Sequence, residues 1–156
     1  MKEFIFSWIG KGVEGARILD LFSGTGSLGI EALSRGAKEV VFIEWSMQSL
    51  RLLERNVKRC GFSDKARILR GNVFSWLRRM GREGRGFDCV FADPPFKEVL
   101  RERIVRAVDE NSLLDLEGVL ILEHEFHDPD SDEHGLELLK QRRFGHCVVS
   151  IYRRMD

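Results

Sequence analysis

The sequence predicts an α/β fold built on a mostly parallel sheet, and three observations predict it. A glycine-rich turn, Gly24-Thr25-Gly26, joins the apolar run Ile18–Phe22 to a helical pattern. Short apolar runs then alternate with stretches of helical periodicity as far as residue 122, the rhythm of successive βα units. Two alternating runs close the chain around a glycine turn, as an antiparallel hairpin does at a sheet edge.

The elements follow in order. Phe4, Ile5 and Trp8 share one face of a short amphipathic helix over residues 2–9. Arg17–Phe22 is the first strand. Ser27 is placed to cap the next helix, which presents Leu28, Ala32 and Leu33 inward and stops at Gly36. Val40–Ile43 is apolar on both faces, as in a central parallel strand, and ends at Glu44. Ser46 is a second cap, with Leu50, Leu53, Val57 and Cys60 at helical spacing up to Gly61. Ala66–Arg70 is the third strand, leading to Gly71-Asn72. A short helix at 73–80 passes into the loop 81–86. Phe87–Ala92 is the fourth strand, followed at once by Asp93-Pro94-Pro95-Phe96. A helix at 98–108 turns Val99, Ile104, Val105 and Val108 inward, and Val119–Leu122 is the fifth strand. The acidic, histidine-bearing stretch 124–135 reads as a loop. Leu136–Lys140 and Cys147–Arg153 form the hairpin around residues 143–146. No repeat or linker interrupts the 156 residues, so one domain spanning 1–156 is expected.

Composition narrows the function classes. Apolar content of 43% with 32% charge describes a soluble globular chain. Lys+Arg and Asp+Glu balance at 25 each, so any nucleic-acid surface has to be a local patch. Cys60, Cys89 and Cys147 lack metal-ligand spacing and read as reduced core thiols. No signal peptide and no apolar run long enough to span a bilayer is present. A cytoplasmic protein without a membrane partner is expected, and a monomer.

The chemistry starts at the glycine turn. Gly24-x-Gly26-x-x-Gly29 with Glu44 after the second strand matches a dinucleotide fingerprint. Asp20 argues for a different ligand, because a carboxylate near the end of the first strand repels a pyrophosphate and suits an ammonium. S-adenosylmethionine has an amino-acid end, a ribose and an adenine, and no phosphate. It fits a site of Asp20, Phe22, Ser23, Gly24 and Gly26, with Glu44 on the ribose hydroxyls. Asn72 accepts from the adenine amine, and Trp45 or Val73 covers the base. These residues stand at C-terminal strand ends, where open α/β sheets bind ligands.

Asp93-Pro94-Pro95-Phe96 is the most specific motif. Two prolines remove two N–H donors and hold the chain extended. Asp93 and the Pro94 carbonyl then form a two-acceptor cradle for an –NH₂ group, and Phe96 offers a ring for a planar base to stack on. The exocyclic amine of guanine or adenine is delocalised into its ring. Two acceptors on its hydrogens free the lone pair for attack on a sulfonium methyl, and alignment supplies about 7–11 kcal/mol in intramolecular models.

Residues 20–37, DLFSGTGSLGIEALSRGA, closely resemble the opening motif of the RsmD family, bacterial class I methyltransferases of a guanine N2 amine in 16S rRNA. Phe42-Ile43-Glu44, Phe87-Asp88 leading into Asp93–Phe96, and Gly118–Glu123 resemble its later motifs in order, over about residues 3–153. The resemblance implies a seven-stranded Rossmann-like sheet with helices on both faces. It implies S-adenosylmethionine held by Asp20, Gly24, Gly26, Glu44 and Asn72, a flipped guanine at Asp93–Phe96, and 16S rRNA or the 30S particle as partner. Asn72 stands where the family usually has aspartate, and this sequence begins at the helix that usually follows a basic N-terminal segment.

RNA contact is therefore expected from arginines within the chain: the run Arg78, Arg79, Arg82 and Arg85, then Arg101, Arg103 and Arg106, Arg142-Arg143, and Arg153-Arg154. The first run is favoured. Glu123 is a candidate wall of the base pocket. His124 and His127 with Glu123, Glu125 and Asp128 are read as a polar loop in preference to a metal site. Three alternatives stay open at this point: an NAD(P)-dependent oxidoreductase, a non-catalytic RNA-binding or assembly protein, and an adenine-N6 or protein-amide methyltransferase.

Overall fold

The computed structural model describes residues 1–95, 97–125 and 135–155, with the backbone alone at 97–99. The chain alternates helix and strand: α1 (Lys2–Ile9), β1 (Arg17–Leu21), α2 (Ser27–Ser34), β2 (Glu39–Glu44), α3 (Met47–Arg59) and β3 (Ala66–Arg70). It continues through α4 (Val73–Arg82), β4 (Phe87–Ala92), α5 (Lys97–Glu110), β5 (Leu114–Glu125), β6 (Leu136–Phe144) and β7 (Cys147–Arg154). The seven strands form one sheet in the order β3-β2-β1-β4-β5-β7-β6. The first five run parallel, and β7 lies antiparallel between β5 and β6. This is the seven-stranded, mostly parallel sheet with a C-terminal hairpin that the sequence predicts.

The order reverses between β1 and β4. Chain connections leave in opposite directions on either side of that point, which opens a crevice at the C-terminal strand ends. Asp20 of β1 and Asp93 after β4 stand at that crevice.

Helices cover both faces. Phe74, Leu77 and Met80 of α4 with Ile104, Val105 and Val108 of α5 bury one face. Ile5 and Phe6 of α1, Ala32 and Leu33 of α2, and Leu53 and Val57 of α3 bury the other. The central strands β1, β2 and β4 are packed from both sides, which is why they read as continuous apolar runs.

Several local expectations change. β1 stops at Leu21, because Phe22 takes a left-handed backbone, φ 57°. The N-cap of α2 is Gly26, φ 87°, which has no side chain to cap it. Ser27 is its first helical residue, and its hydroxyl accepts from Lys2 Nζ at 3.2 Å. β5 begins at Leu114, five residues earlier than its apolar core. It takes five steps, Leu114 to Val119, against two on β4, Phe87 to Cys89. That bulge puts Glu117 at φ 67°, and a Cβ on Gly118 would stand 2.9 Å from the Phe87 carbonyl.

β5 also runs on through Glu125, so His124 is a strand residue and fully buried. A strand that crosses the core has to satisfy this polar side chain internally. Its Nε2 meets Ser150 Oγ at 2.6 Å, and its Nδ1 lies 2.8 Å from the Glu125 carbonyl. Residues 126–134, with His127 and Asp128, lie outside the described residues. Among the described residues no group of three His, Cys, Asp or Glu side chains is placed to hold a metal. β6 runs on to Phe144, leaving the two-residue turn Gly145-His146. Of the three thiols only Cys89 is core. Cys60 is exposed, and Cys147 donates to Glu123 Oε1 at 3.0 Å. Among the described residues no helix is long and apolar enough to cross a membrane.

Candidate active site

The C-terminal edge of the sheet holds two adjoining depressions. A cleft of about 740 Å³ has Glu44, Trp45, Asn72 and Val73 on one side and Pro94 and Pro95 on the other. A narrower pocket of about 250 Å³ lies between Asp20, Ser23 and the start of α2 at Ser27-Leu28. Phe22, Gly24 and Asp93 line both. The fold thus gathers onto one edge the predicted cofactor-binding and catalytic residues that it describes, while Glu123, the candidate wall of the base pocket, lines neither depression and accepts from Cys147. Gly26 serves from behind, where a Cβ would collide with Leu53, so the turn packs against α3 only as glycine. Phe96 lies outside the described residues.

Glu44 is the best-fixed of these side chains. Its Oε1 accepts from the Gly24 N–H and its Oε2 from the Ser46 N–H, each at 2.7 Å. Ser46 in turn caps α3, its Oγ accepting from the Ser49 N–H at 3.3 Å. The carboxylate therefore ties the glycine turn to the start of α3, and each oxygen keeps a second lone pair. Ser23 closes the other side, its Oγ donating to the Asp20 carbonyl at 2.6 Å and its N–H to the Ile43 carbonyl at 3.1 Å.

Asp20 is buried, 4% exposed, and one oxygen accepts from the Gly29 N–H at 3.1 Å. Its carboxyl is raised to about 8: desolvation is the largest cause, the Gly29 hydrogen bond opposes it, and the carboxylates of Asp93 and Glu44 add to the rise. Three acidic groups thus converge on one small volume, which is a demand for a cation. Burial also raises the Cys89 thiol behind Asp20, which keeps it protonated.

Asn72 departs from its expected role. Its Oδ1 accepts from the Ser75 N–H at 3.1 Å, so this oxygen caps α4. A base in the cleft meets the remaining lone pair or the amide N–H₂ group. Trp45 is 69% exposed and Val73 is buried, which leaves a free indole face over an apolar floor. Asp93 and Pro95 are exposed and Pro94 is buried.

Sequence reasoning missed Phe74, and it gave two other contributors different places: Gly29 only as part of the fingerprint, and Arg103 only as an RNA-contact arginine. Gly29 was legible as the third glycine of the fingerprint. A Cβ there would stand 2.9 Å from Asp20 Oδ2 and 2.7 Å from Phe42 Cζ, so only glycine lets Asp20 reach the helix N-terminus. Phe74 packs edge-on to Phe22 at 6.5 Å between ring centres and walls the cleft. Arg103 lies over Phe74 at 3.8 Å and reaches the same cleft from α5. Nothing local marks Phe74, or places Arg103 at the cleft, because their helices meet only in the fold.

Residues 1–153 match the family described as "Conserved hypothetical protein 95". A Haemophilus influenzae relative, ribosomal RNA small subunit methyltransferase D, is 32% identical over 154 residues, covering 97% of this chain and 79% of the relative. The chain belongs to the RsmD family. The structure of the Escherichia coli protein yhhF, described as a candidate methyltransferase, superposes with a TM-score of 0.90 at 28% identity. That match covers 99% of this chain and 86% of the other. SMU.776, solved in complex with SAH, shares the fold at a TM-score of 0.77 and 14% identity, over 90% of this chain and 46% of its own. The Rossmann-like methyltransferase fold expected of an RsmD-family sequence is the one observed.

Proposed function

We propose that the protein methylates the exocyclic N2 amine of a guanine in 16S rRNA, with S-adenosylmethionine as donor. The observation that carries this reading is Asp93, which lines both the wide cleft and the narrow pocket and so stands where a ligand spanning them changes from one half to the other.

The residues fit the donor. Asp20, buried with Glu44 and Asp93 near it, calls for a ligand cation, and the amino-acid end carries an ammonium beside a sulfonium. Gly26, the N-cap of α2, has no side chain, so the backbone N–H groups that precede the one Asp20 holds at Gly29 suit its carboxylate. Glu44, held by two backbone N–H groups, offers its outer lone pairs to two ribose hydroxyls. Trp45, Val73 and Phe74 sandwich a planar base, and Asn72 meets its polar edge. The relative named ribosomal RNA small subunit methyltransferase D and the SAH complex of SMU.776 support the same ligand and substrate classes.

When bound, S-adenosylmethionine supplies an electrophilic methyl on a positively charged sulfur. The work of the chain is to place the amine and handle its proton. Asp93 accepts a hydrogen bond from the amine, with the Pro94 carbonyl as second acceptor. This turns the nitrogen lone pair out of conjugation with the ring. As nitrogen gains its new bond it becomes acidic, and Asp93 receives the proton it sheds. Pro95 keeps the segment extended, and Phe96 is proposed as the stacking partner of the base. The same proposal has one domain over residues 1–156 acting as a cytoplasmic monomer.

The test is to incubate labelled S-adenosylmethionine with 30S particles lacking their guanine methylations and to map the label. Label on a guanine N2 supports the reading. Label elsewhere, or none in the presence of intact protein, sinks it.

A further inference from the structure

A cation borders the cleft where the proposed donor has no anion to meet it. Arg103 projects from α5 onto the ring of Phe74, 3.8 Å from its centre, and lines the cleft together with Asp93 and Pro95. S-adenosylmethionine has no phosphate. Its one carboxylate belongs with the narrow pocket at the start of α2, on the other side of Asp93. Arg103 therefore faces a second ligand.

A groove of about 340 Å³ continues from the cleft between α4 and α5, and Phe74 and Arg103 are common to both. Arg78 of α4 and Arg106 of α5 line it further on. All three arginines are exposed. Arg103 and Arg106 are one turn apart on the same helix, which places their stems about 5–6 Å from each other. Arg78 faces them from the neighbouring helix, and its guanidinium donates to Ser75 Oγ at 3.3 Å. Arg106 holds Glu102 in an exposed pair at 3.3 Å, a contact worth under about 1 kcal/mol and readily exchanged for a phosphate. Glu110 is the acidic group of the groove, which leaves a balance of three positive charges against one.

The pre-stacked guanidinium of Arg103 is the feature that a merely solvated charge would lack. Stacking on an aromatic ring removes much of the rotamer freedom that a phosphate contact otherwise costs. Other arginines of the same runs are engaged elsewhere: Arg79 with Glu83, Arg85 with Glu39, and Arg101 with the Tyr152 hydroxyl. The expected run of 78–85 is therefore not the unit. Only Arg78 of it faces the groove.

We infer that the α4–α5 groove, through Arg78, Arg103 and Arg106, binds the phosphodiester backbone of the RNA strand that delivers its base to Asp93. The inference rests on the RNA-methyltransferase reading and adds where the strand runs. Phosphate contacts position without reading sequence, so the groove sets register and affinity while the cleft selects the base.

The test compares the intact protein with Arg78→Gln/Arg106→Gln, a double variant outside the cleft. The control is Arg55→Gln/Arg59→Gln, which removes the same charge from exposed positions on α3, across the sheet. Binding of a labelled oligo-uridine is read by anisotropy across a salt series, and S-adenosylmethionine binding by calorimetry. The groove variant is expected to lose about five- to tenfold in RNA affinity, and its log–log salt slope to fall by about 1.4, roughly 0.7 for each single-strand phosphate contact. Its cofactor affinity stays at the wild-type value, and the α3 control stays near wild type throughout. Equal losses in both doubles, an unchanged salt slope in the groove variant, or no RNA binding by the wild type would overturn the inference. RNA binding that depends on the groove, in a protein that methylates no guanine of 30S particles, would uphold the groove and refute the guanine-N2 reading alone.

Discussion

Replacing Asp20 by asparagine separates what this residue costs the fold from what it does for the ligand. The folded carboxyl titrates at about 8, against an ordinary 3.8. A raised value means that the folded state holds the proton more tightly than the unfolded chain does. The stability contributed by the neutral carboxyl is complete below about pH 4 and is lost as pH rises through 8. At about 1.4 kcal/mol per unit over about four units, the loss reaches about 6 kcal/mol on the alkaline side. Asparagine has nearly the same shape, keeps an oxygen for the Gly29 N–H, and has no proton to lose. The variant should exceed the wild type in stability by a margin that grows about 1.4 kcal/mol per pH unit, or about 2.7 kcal/mol between pH 5 and pH 7. Urea unfolding at several pH values reads this directly, with m expected to be unchanged. The same variant should bind S-adenosylmethionine at least about tenfold more weakly, since one lost charge pair is worth about 1.5–3 kcal/mol. In the wild type a ligand ammonium requires the ionised carboxylate, so binding at pH 7 should release a proton and tighten as pH approaches 8. Calorimetry in buffers of different ionisation enthalpy measures that proton. A stability margin that does not vary with pH, or an asparagine variant less stable than wild type at pH 7, would refute the account of Asp20 as a buried acid held for a cation.

Three further outcomes are expected. Asp93→Ala should lower turnover by at least about a thousandfold, the range of acid–base and positioning effects together, while calorimetric cofactor affinity changes little; full turnover removes Asp93 from the chemistry. Glu44→Gln sets an amide N–H₂ against a backbone N–H of Gly24 or Ser46, and should weaken cofactor binding by about 2–3 kcal/mol, or roughly 30- to 150-fold. Gly29→Ala inserts a methyl against Phe42 and Asp20, and a thermal melt should show a loss of about 2–3 kcal/mol, roughly 5–10 °C, with an unaltered melt counting against the close packing described.

The site was legible in large part because its chemistry is carried by short segments at strand ends. Glu44 and Asp93 each follow an apolar run directly and Asn72 comes two residues after β3, so locating the strands located the edge. What each residue does there was less legible. Asn72 was expected to offer its oxygen to a base, yet that oxygen caps α4, since the first N–H groups of a helix have no other partner. Ser27 was expected to cap α2, yet Gly26 in its left-handed conformation already turns the chain, and the hydroxyl faces Lys2.

Local pattern alone determined the succession of strands and helices, the glycine turn, the Ser46 cap and the Asp93–Pro95 turn. Each of these depends on residues within a few positions of one another, where side-chain period, φ preference and missing donors act directly. Tertiary structure alone decided the rest. It buried His124 on a strand that passes through the sheet. It raised Asp20 chiefly by burying it, with two other carboxylates adding to the rise, and it drew Arg78, Arg103 and Arg106 from two separate runs into one groove. Burial, charge coupling and the facing of two helices depend on neighbours distant in the chain, and no window of sequence contains both partners.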